Sequence, residues 1–282
     1  MNNLPQYAQS GSGSSLTEEN QGPSLAFEHV SIAFDGPRVL SDVSFKVAQG
    51  ETRILLGPAG VGKSVLLKLA NGLLRPDTGS IRLFGEEITT MSEEHLFPMR
   101  ERIGMVFQEG ALFDSLTVRD NVAYQLIQER VADNEIDQRV REALSFVGLE
   151  ETFSLYPSSL SGGMRRRVAI ARSFIHSPDL LLYDSPTGGL DPVTSTTIIE
   201  LIVKQRDVHR TPSLLVTHRI QDAFTLCSHY FDTKQNAMVP FPKGTTDAGT
   251  SFLMLDEGRL IFDGSLRELT NTENPFVREF LE

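Results

Sequence analysis

Cysteine is almost missing from this 282-residue chain, which holds only Cys227. One cysteine excludes a disulfide framework and a CxxC metal pair, and it fits a reducing compartment. Cys227 reads as a small buried apolar residue after a helix, not as a reactive thiol. Long apolar runs are missing too: none approaches the roughly 18 residues needed to span a bilayer. Met1-Asn2-Asn3 starts neither a basic nor an apolar leader, so no signal peptide is expected. There is no excess of basic charge, with 26 Lys and Arg against 37 Asp and Glu and a formal net charge of −11. That argues against a broad nucleic-acid surface. The expectation is a soluble protein that meets any membrane through a partner.

What is present supports a core of one large domain or two small ones, with 40% hydrophobic residues. Residues 1–22 are rich in Ser, Gly, Gln and Asn and are expected to form a disordered polar tail. From Ser24 the pattern turns to strands, with Val30, Ile32 and Phe34 alternating with His29, Ser31 and Ala33. Arg53-Ile54-Leu55-Leu56 reads as a buried strand, followed by a helix stopping near Asn71-Gly72. Residues 110–177 read as a helical subdomain, with Thr117 as one helix cap, a second helix from Ile136 to Val147, and a third beginning at Ser161. Strand signals return at Leu180–Tyr183 and Ser213–Val216, with a helix near Pro192 between them. Strands and helices alternating at this spacing predict a parallel sheet of the α/β class. Residues 231–250 read as an irregular or hairpin-like insertion, and two strands follow around Asp256-Glu257-Gly258.

The chemistry begins at Gly57-Pro58-Ala59-Gly60-Val61-Gly62-Lys63-Ser64, which matches GxxxxGK[ST] at every fixed position. Glycines there let successive backbone N–H groups converge on phosphate oxygens at a helix start. Lys63 adds a point charge near the β- and γ-phosphates, and the Ser64 hydroxyl can ligate Mg²⁺. Asp184 ends an apolar strand, where a carboxylate can reach that metal through water. Leu160-Ser161-Gly162-Gly163-Met164 adds a second helix start offering backbone donors and a hydroxyl to an anion. Two such ends in one chain suggest a phosphate shared between two subunits, and ATP as the nucleotide.

With these motifs in order, the chain from about Leu25 onward resembles an ATP-binding cassette (ABC) nucleotide-binding subunit. The resemblance implies a P-loop NTPase fold over 23–282: a RecA-like parallel sheet core, an antiparallel β subdomain, the helical subdomain, and a C-terminal tail over 266–282. It implies that Phe34 stacks on adenine and that Gln108 touches Mg²⁺ and the membrane partner. It also implies that Asp191 lies in a loop crossing the dimer interface and that His218 is the switch histidine near the γ-phosphate. Gly104–Phe113, Asp120–Tyr124, the LSGGM string and the ending Asn274–Leu281 resemble the ATPases of Mla-type and Mce-associated phospholipid (toluene-tolerance) transporters. The ABC resemblance implies a permease partner, a location on the cytoplasmic face of the cell membrane through it, and a second cassette, either another copy (a homodimer) or a different chain; the narrower one implies phospholipid transport and an Mce-type lipid-binding protein.

One position departs from the family. After Asp184, where a glutamate normally polarises the attacking water, this chain has Ser185. A serine can orient water but cannot take its proton at neutral pH. The expected function is an ATPase driving transport, slowed at this step, with water positioned by Ser185, His218 or Gln108. The alternative is an ATP-binding clamp or regulatory subunit with little hydrolysis. A DNA-repair or translation ATPase is disfavoured, because the chain has one cassette and no long coiled-coil insert.

Overall fold

The computed structural model describes residues 22–282. The tail expected over 1–22 therefore lies, but for Gly22, outside the described residues. The chain opens with β1 (Leu25–Ala33), β2 (Arg38–Val47) and β3 (Thr52–Leu56), then α1 (Lys63–Ala70), β4 (Thr78–Leu83) and β5 (Glu86–Glu87). Next come α2 (Glu93–Glu101), β6 (Ile103–Val106), α3 (Val118–Gln128), α4 (Asp133–Phe146) and α5 (Gly162–Phe174). The second half alternates β7 (Leu180–Asp184), α6 (Pro192–His209), β8 (Ser213–Val216) and α7 (Ile220–Ser228). It closes with β9 (His229–Asp232), β10 (Ala237–Pro240), β11 (Thr250–Asp256), β12 (Arg259–Gly264), α8 (Leu266–Thr270) and α9 (Pro275–Leu281).

A six-stranded sheet in the order β12-β11-β3-β8-β7-β6 forms the core, parallel except for the β11–β12 hairpin. Both faces of this sheet are covered, which is why its strands are continuous apolar runs and not alternating ones. Period-2 geometry still sorts the side chains. Ile54, Leu56, Leu181, Tyr183, Leu215, Phe252 and Met254 join one core cluster with the helical region. Leu55, Leu180, Leu182, Leu214, Val216, Leu253 and Leu255 join the other, with α1 and the antiparallel sheet β2-β1-β4-β5. Each such side chain, fully buried, contributes about 1.5–3 kcal/mol before entropy is counted. This is the α/β architecture that the sequence pattern predicts.

Two local readings are revised and two are made more definite. The alternation expected through Phe34 breaks at bulges in β1, where His29 has φ 53° and Phe27, Val30, Ser31 and Ile32 are all buried. Phe34 therefore falls beyond the strand, in an exposed turn. Cys227 is buried but lies inside the last turn of α7, not after it. The insertion is a short antiparallel hairpin, β9–β10, starting at His229 and packed on α6. The segment from 266, read as a tail, carries two helices that bury Leu269 and Val277. Among the described residues no helix is long and apolar enough to cross a membrane.

Candidate nucleotide site

The candidate residues gather at the carboxyl ends of β3, β6, β7 and β8, the edge where parallel α/β sheets hold ligands. β3 runs directly into the glycine-rich loop. Gly57 has φ 148°, and a Cβ there would sit 2.3 Å from the carbonyl oxygen of Leu255, so only glycine fits against β11. Gly62, at φ 105°, turns the chain into α1 without a side-chain cap, leaving that helix's first N–H groups to other acceptors. Lys63 is 7% exposed and folds back over the loop, its ammonium donating to the carbonyls of Gly57 (2.7 Å) and Pro58 (2.5 Å). Burial lowers its pKa, and the charge of Asp184 opposes that shift.

Asp184 closes β7 and stands between two hydroxyls. Its Oδ1 accepts from Ser64 Oγ at 3.5 Å and from Ser185 Oγ at 3.4 Å. Ser185 adopts φ 46°, a left-handed backbone costly for a non-glycine residue. It is pinned there by its own N–H donating to Val216 and by its carbonyl accepting the N–H of Gly188. Gln108 follows β6 and packs its amide against Gly188, where a Cβ would meet Nε2 at 3.2 Å. His218 is exposed just past β8, after Thr217, whose N–H bonds the carbonyl of Leu55. Phe34 is half exposed in its turn.

A second group forms at two helix starts. Ser161 caps α5, its Oγ accepting from Met164 N at 3.2 Å, with Gly162 in the first turn. Asp191 caps α6, accepting from the N–H and the hydroxyl of Thr194. Those bonds from Thr194 hold its carboxyl below the usual range. The two starts touch, for a Cβ on Gly163 would lie 2.4 Å from Thr194 Cγ2. So Lys63, Ser64, Asp184 and Ser185 form one constellation, and Ser161, Gly162, Gly163 and Asp191 another.

Sequence reasoning missed the residues that join these groups. Arg166, on α5, donates to carbonyls of Phe107, Ser185 and Gly188. Arg219 donates to the carbonyl of Thr187 and the hydroxyl of Ser195, while Thr187 donates to the buried carboxylate of Asp222. The run Arg165-Arg166-Arg167 was visible, but spacing alone does not tell which arginine turns inward.

Comparison with known proteins agrees with this geometry. A family model described as ABC transporter matches residues 40–188. The Arabidopsis thaliana protein trigalactosyldiacylglycerol 3, chloroplastic, is 38% identical over 88% of this chain and 70% of its own length. The methionine import ATP-binding protein MetN 2 of Bacillus cereus is also 38% identical, over 91% of this chain and 72% of its own. The solved dimer of the ATP-binding cassette MJ0796, in a post-hydrolysis state bound to ADP and Pi, superposes with a TM-score of 0.72 at 26% identity, covering 86% of this chain and 99% of that one. With the phosphate loop, the Asp184 strand and the capped LSGG helix all in this frame, the chain belongs to the ABC transporter family as an ATP-binding subunit.

Proposed function

We propose that the chain hydrolyses ATP as one half of a head-to-tail homodimer and powers lipid transport through an integral-membrane permease. The observation that carries the ATPase reading is Asp184, whose carboxylate stands between the Ser64 and Ser185 hydroxyls at the mouth of the phosphate loop. Ser64 and Asp184 are hard oxygen donors of the kind Mg²⁺ accepts when phosphates and waters complete its shell. Bound Mg·ATP supplies the polarised γ-phosphoryl group. Lys63 and the loop N–H groups hold the phosphates, Phe34 meets the adenine, and Ser185, Gln108 and His218 orient water. Ser161, Gly162 and Gly163 present the start of α5 to the nucleotide of the other copy, beside the loop of Asp191. Without a carboxylate at position 185, proton removal is the weak step and turnover is slow.

The lipid assignment rests on the resemblance to phospholipid-transport ATPases and on a relative named for a galactolipid. The Mce-type partner and the location on the cytoplasmic face of the membrane belong to the same reading. A methionine-import reading has the equal identity to MetN 2 behind it. Phosphate release by the purified chain with its permease in vesicles tests both: stimulation by phospholipid with no response to methionine supports the first, and the reverse replaces it. Absence of turnover until Ser185→Glu would make the chain an ATP-gated clamp.

A further inference from the structure

Arg166 is a buried charge on α5, with Glu109 as its charge neighbour. It is 5% exposed, and among the described residues no carboxylate pairs with it at ion-pair distance. Burying a guanidinium is costly unless its donors are used. Its two terminal nitrogens go to main-chain oxygens on two loops, that of Phe107 after β6 (3.5 Å) and the turn after β7 that holds both Ser185 (3.3 Å) and Gly188 (3.4 Å). Phe107 is the residue before Gln108. Ser185 stands beside the Asp184 carboxylate. Gly188 leads into the turn before Asp191, and any Cβ on it would press on both the Ser185 carbonyl (3.1 Å) and the Gln108 amide (3.2 Å). One fork therefore sits at the junction of the loops that carry Gln108, Ser185 and Asp191.

The position of Arg166 on its helix gives this junction direction. The bonds from Val216 and Gly188 that hold Ser185 in its left-handed conformation come from the core sheet and from its own turn. The third, from Arg166, comes from the helical region, on α5, five residues after the Ser161 cap. A shift of α5 would act on Ser185 through that bond and on Gly188 through the second arm of the same guanidinium, while the bond to Val216 belongs to the core sheet.

We propose that Arg166 is a positioning residue: through the Ser185 carbonyl it sets the water-facing backbone of this chain's own site according to what is bound at the start of α5. The inference rests on the ATP-sandwich reading above, in which the α5 start meets the nucleotide of the other copy. Occupancy of one site then reaches the chemistry of the other through a single side chain.

The test uses the full-length chain with its permease, comparing the native protein with Arg166→Met, which removes the fork, and Arg166→Lys, which keeps the charge but reaches fewer carbonyls. ATP affinity, the Hill coefficient of ATP hydrolysis, kcat, and hydrogen exchange at the Ser185 and Gly188 amides are measured with and without ATP. Expected are unchanged ATP affinity, a Hill coefficient falling toward one, and kcat lowered by about tenfold to a hundredfold. The ATP-dependent slowing of exchange at the two amides should vanish with Met and be partial with Lys. If the native chain binds ATP without turnover, the exchange result decides. Should Arg166→Met fail to fold, Arg166→Lys carries the comparison. Native cooperativity and exchange protection in Arg166→Lys would overturn the proposal. So would losses spread evenly over the whole protein, which mark a plain structural prop. No ATP binding by the native chain overturns the sandwich reading itself, whereas normal ATP binding with Arg166-independent protection overturns this inference alone.

Discussion

Thr187 donates its hydroxyl proton to the carboxylate of Asp222, linking the turn after Ser185 to the helix that follows His218. Burial pushes the Asp222 carboxyl up from its ordinary value of 3.8, while the Thr187 bond and the charges of Arg219 and His218 pull it back. A carboxyl with a raised folded pKa holds its proton longer in the folded chain than in the unfolded one. Its contribution to stability therefore falls as pH rises from about the ordinary value through the raised one, and is level above that. Asp222→Asn keeps an acceptor for Thr187 and removes the titration. The melting-temperature difference between Asp222→Asn and the native chain should grow in the variant's favour across that window. A constant difference would show that Asp222 does not titrate differently on folding.

Lys63 ties the carbonyls of Gly57 and Pro58, and in the proposed function it also supplies the charge for phosphate. Lys63→Ala should abolish phosphate release and weaken ATP binding. Retained turnover in that variant would trace the measured activity to a contaminant or place the site elsewhere.

Ser185→Glu tests the missing base. The backbone at position 185 is already fixed by Val216, Gly188 and Arg166, so a longer side chain inherits a defined direction. Restoring a positioned base should raise kcat by about 10²–10⁴, read as steady-state phosphate release. No gain would mean that proton removal is not the slow step.

Gly163 and Thr194 offer a paired test of the contact between α5 and α6. Gly163→Ala places a methyl against Thr194 Cγ2, and Thr194 cannot swing aside while its hydroxyl and N–H bond Asp191. The cost should be about 1–3 kcal/mol of stability. Thr194→Ser removes the clashing methyl and keeps both bonds to Asp191, so the double variant should recover most of the loss in urea unfolding. An additive result would show that the contact yields without strain.

Phe34, half exposed in its turn, is expected to raise the KM for ATP when changed to Ala, with melting temperature unmoved. A large loss of stability would identify it as a core residue.

The sequence was most informative where one residue type does one local job. Thr117 and Ser161 are side-chain helix caps in the structure, as Thr and Ser before an apolar repeat predict, whereas Asp191, read only as a loop residue, proves to cap α6. The phosphate loop was legible because its glycines and lysine are needed at fixed spacing. Less was legible where tertiary packing overrules local pattern. The β1 bulges hide the strand's end, because a bulge shifts the two-residue alternation without changing composition. The helix α2 does not show in the pattern because Pro98 sits inside it and only Leu96 and Met99 of its nine residues are buried. Helices α8 and α9 span five and seven residues, too short to show a period. Arg166 was invisible as a junction because its three partners are backbone oxygens, which any sequence supplies.

The contact between Gly57 and the carbonyl of Leu255 has a consequence for how the protein comes into being. β3, which delivers the phosphate loop, lies in the sheet between β8 and β11, both drawn from the second half of the chain. A nascent chain that has left the ribosome only as far as β7 therefore owns every residue of the GxxxxGKS string and the β2 wall beside Gly62, but not the β11 wall against Gly57. Its β3 has two unpaired edges, the kind of surface that invites wrong partners. The final shape of the loop waits until β8 and β11 have been made.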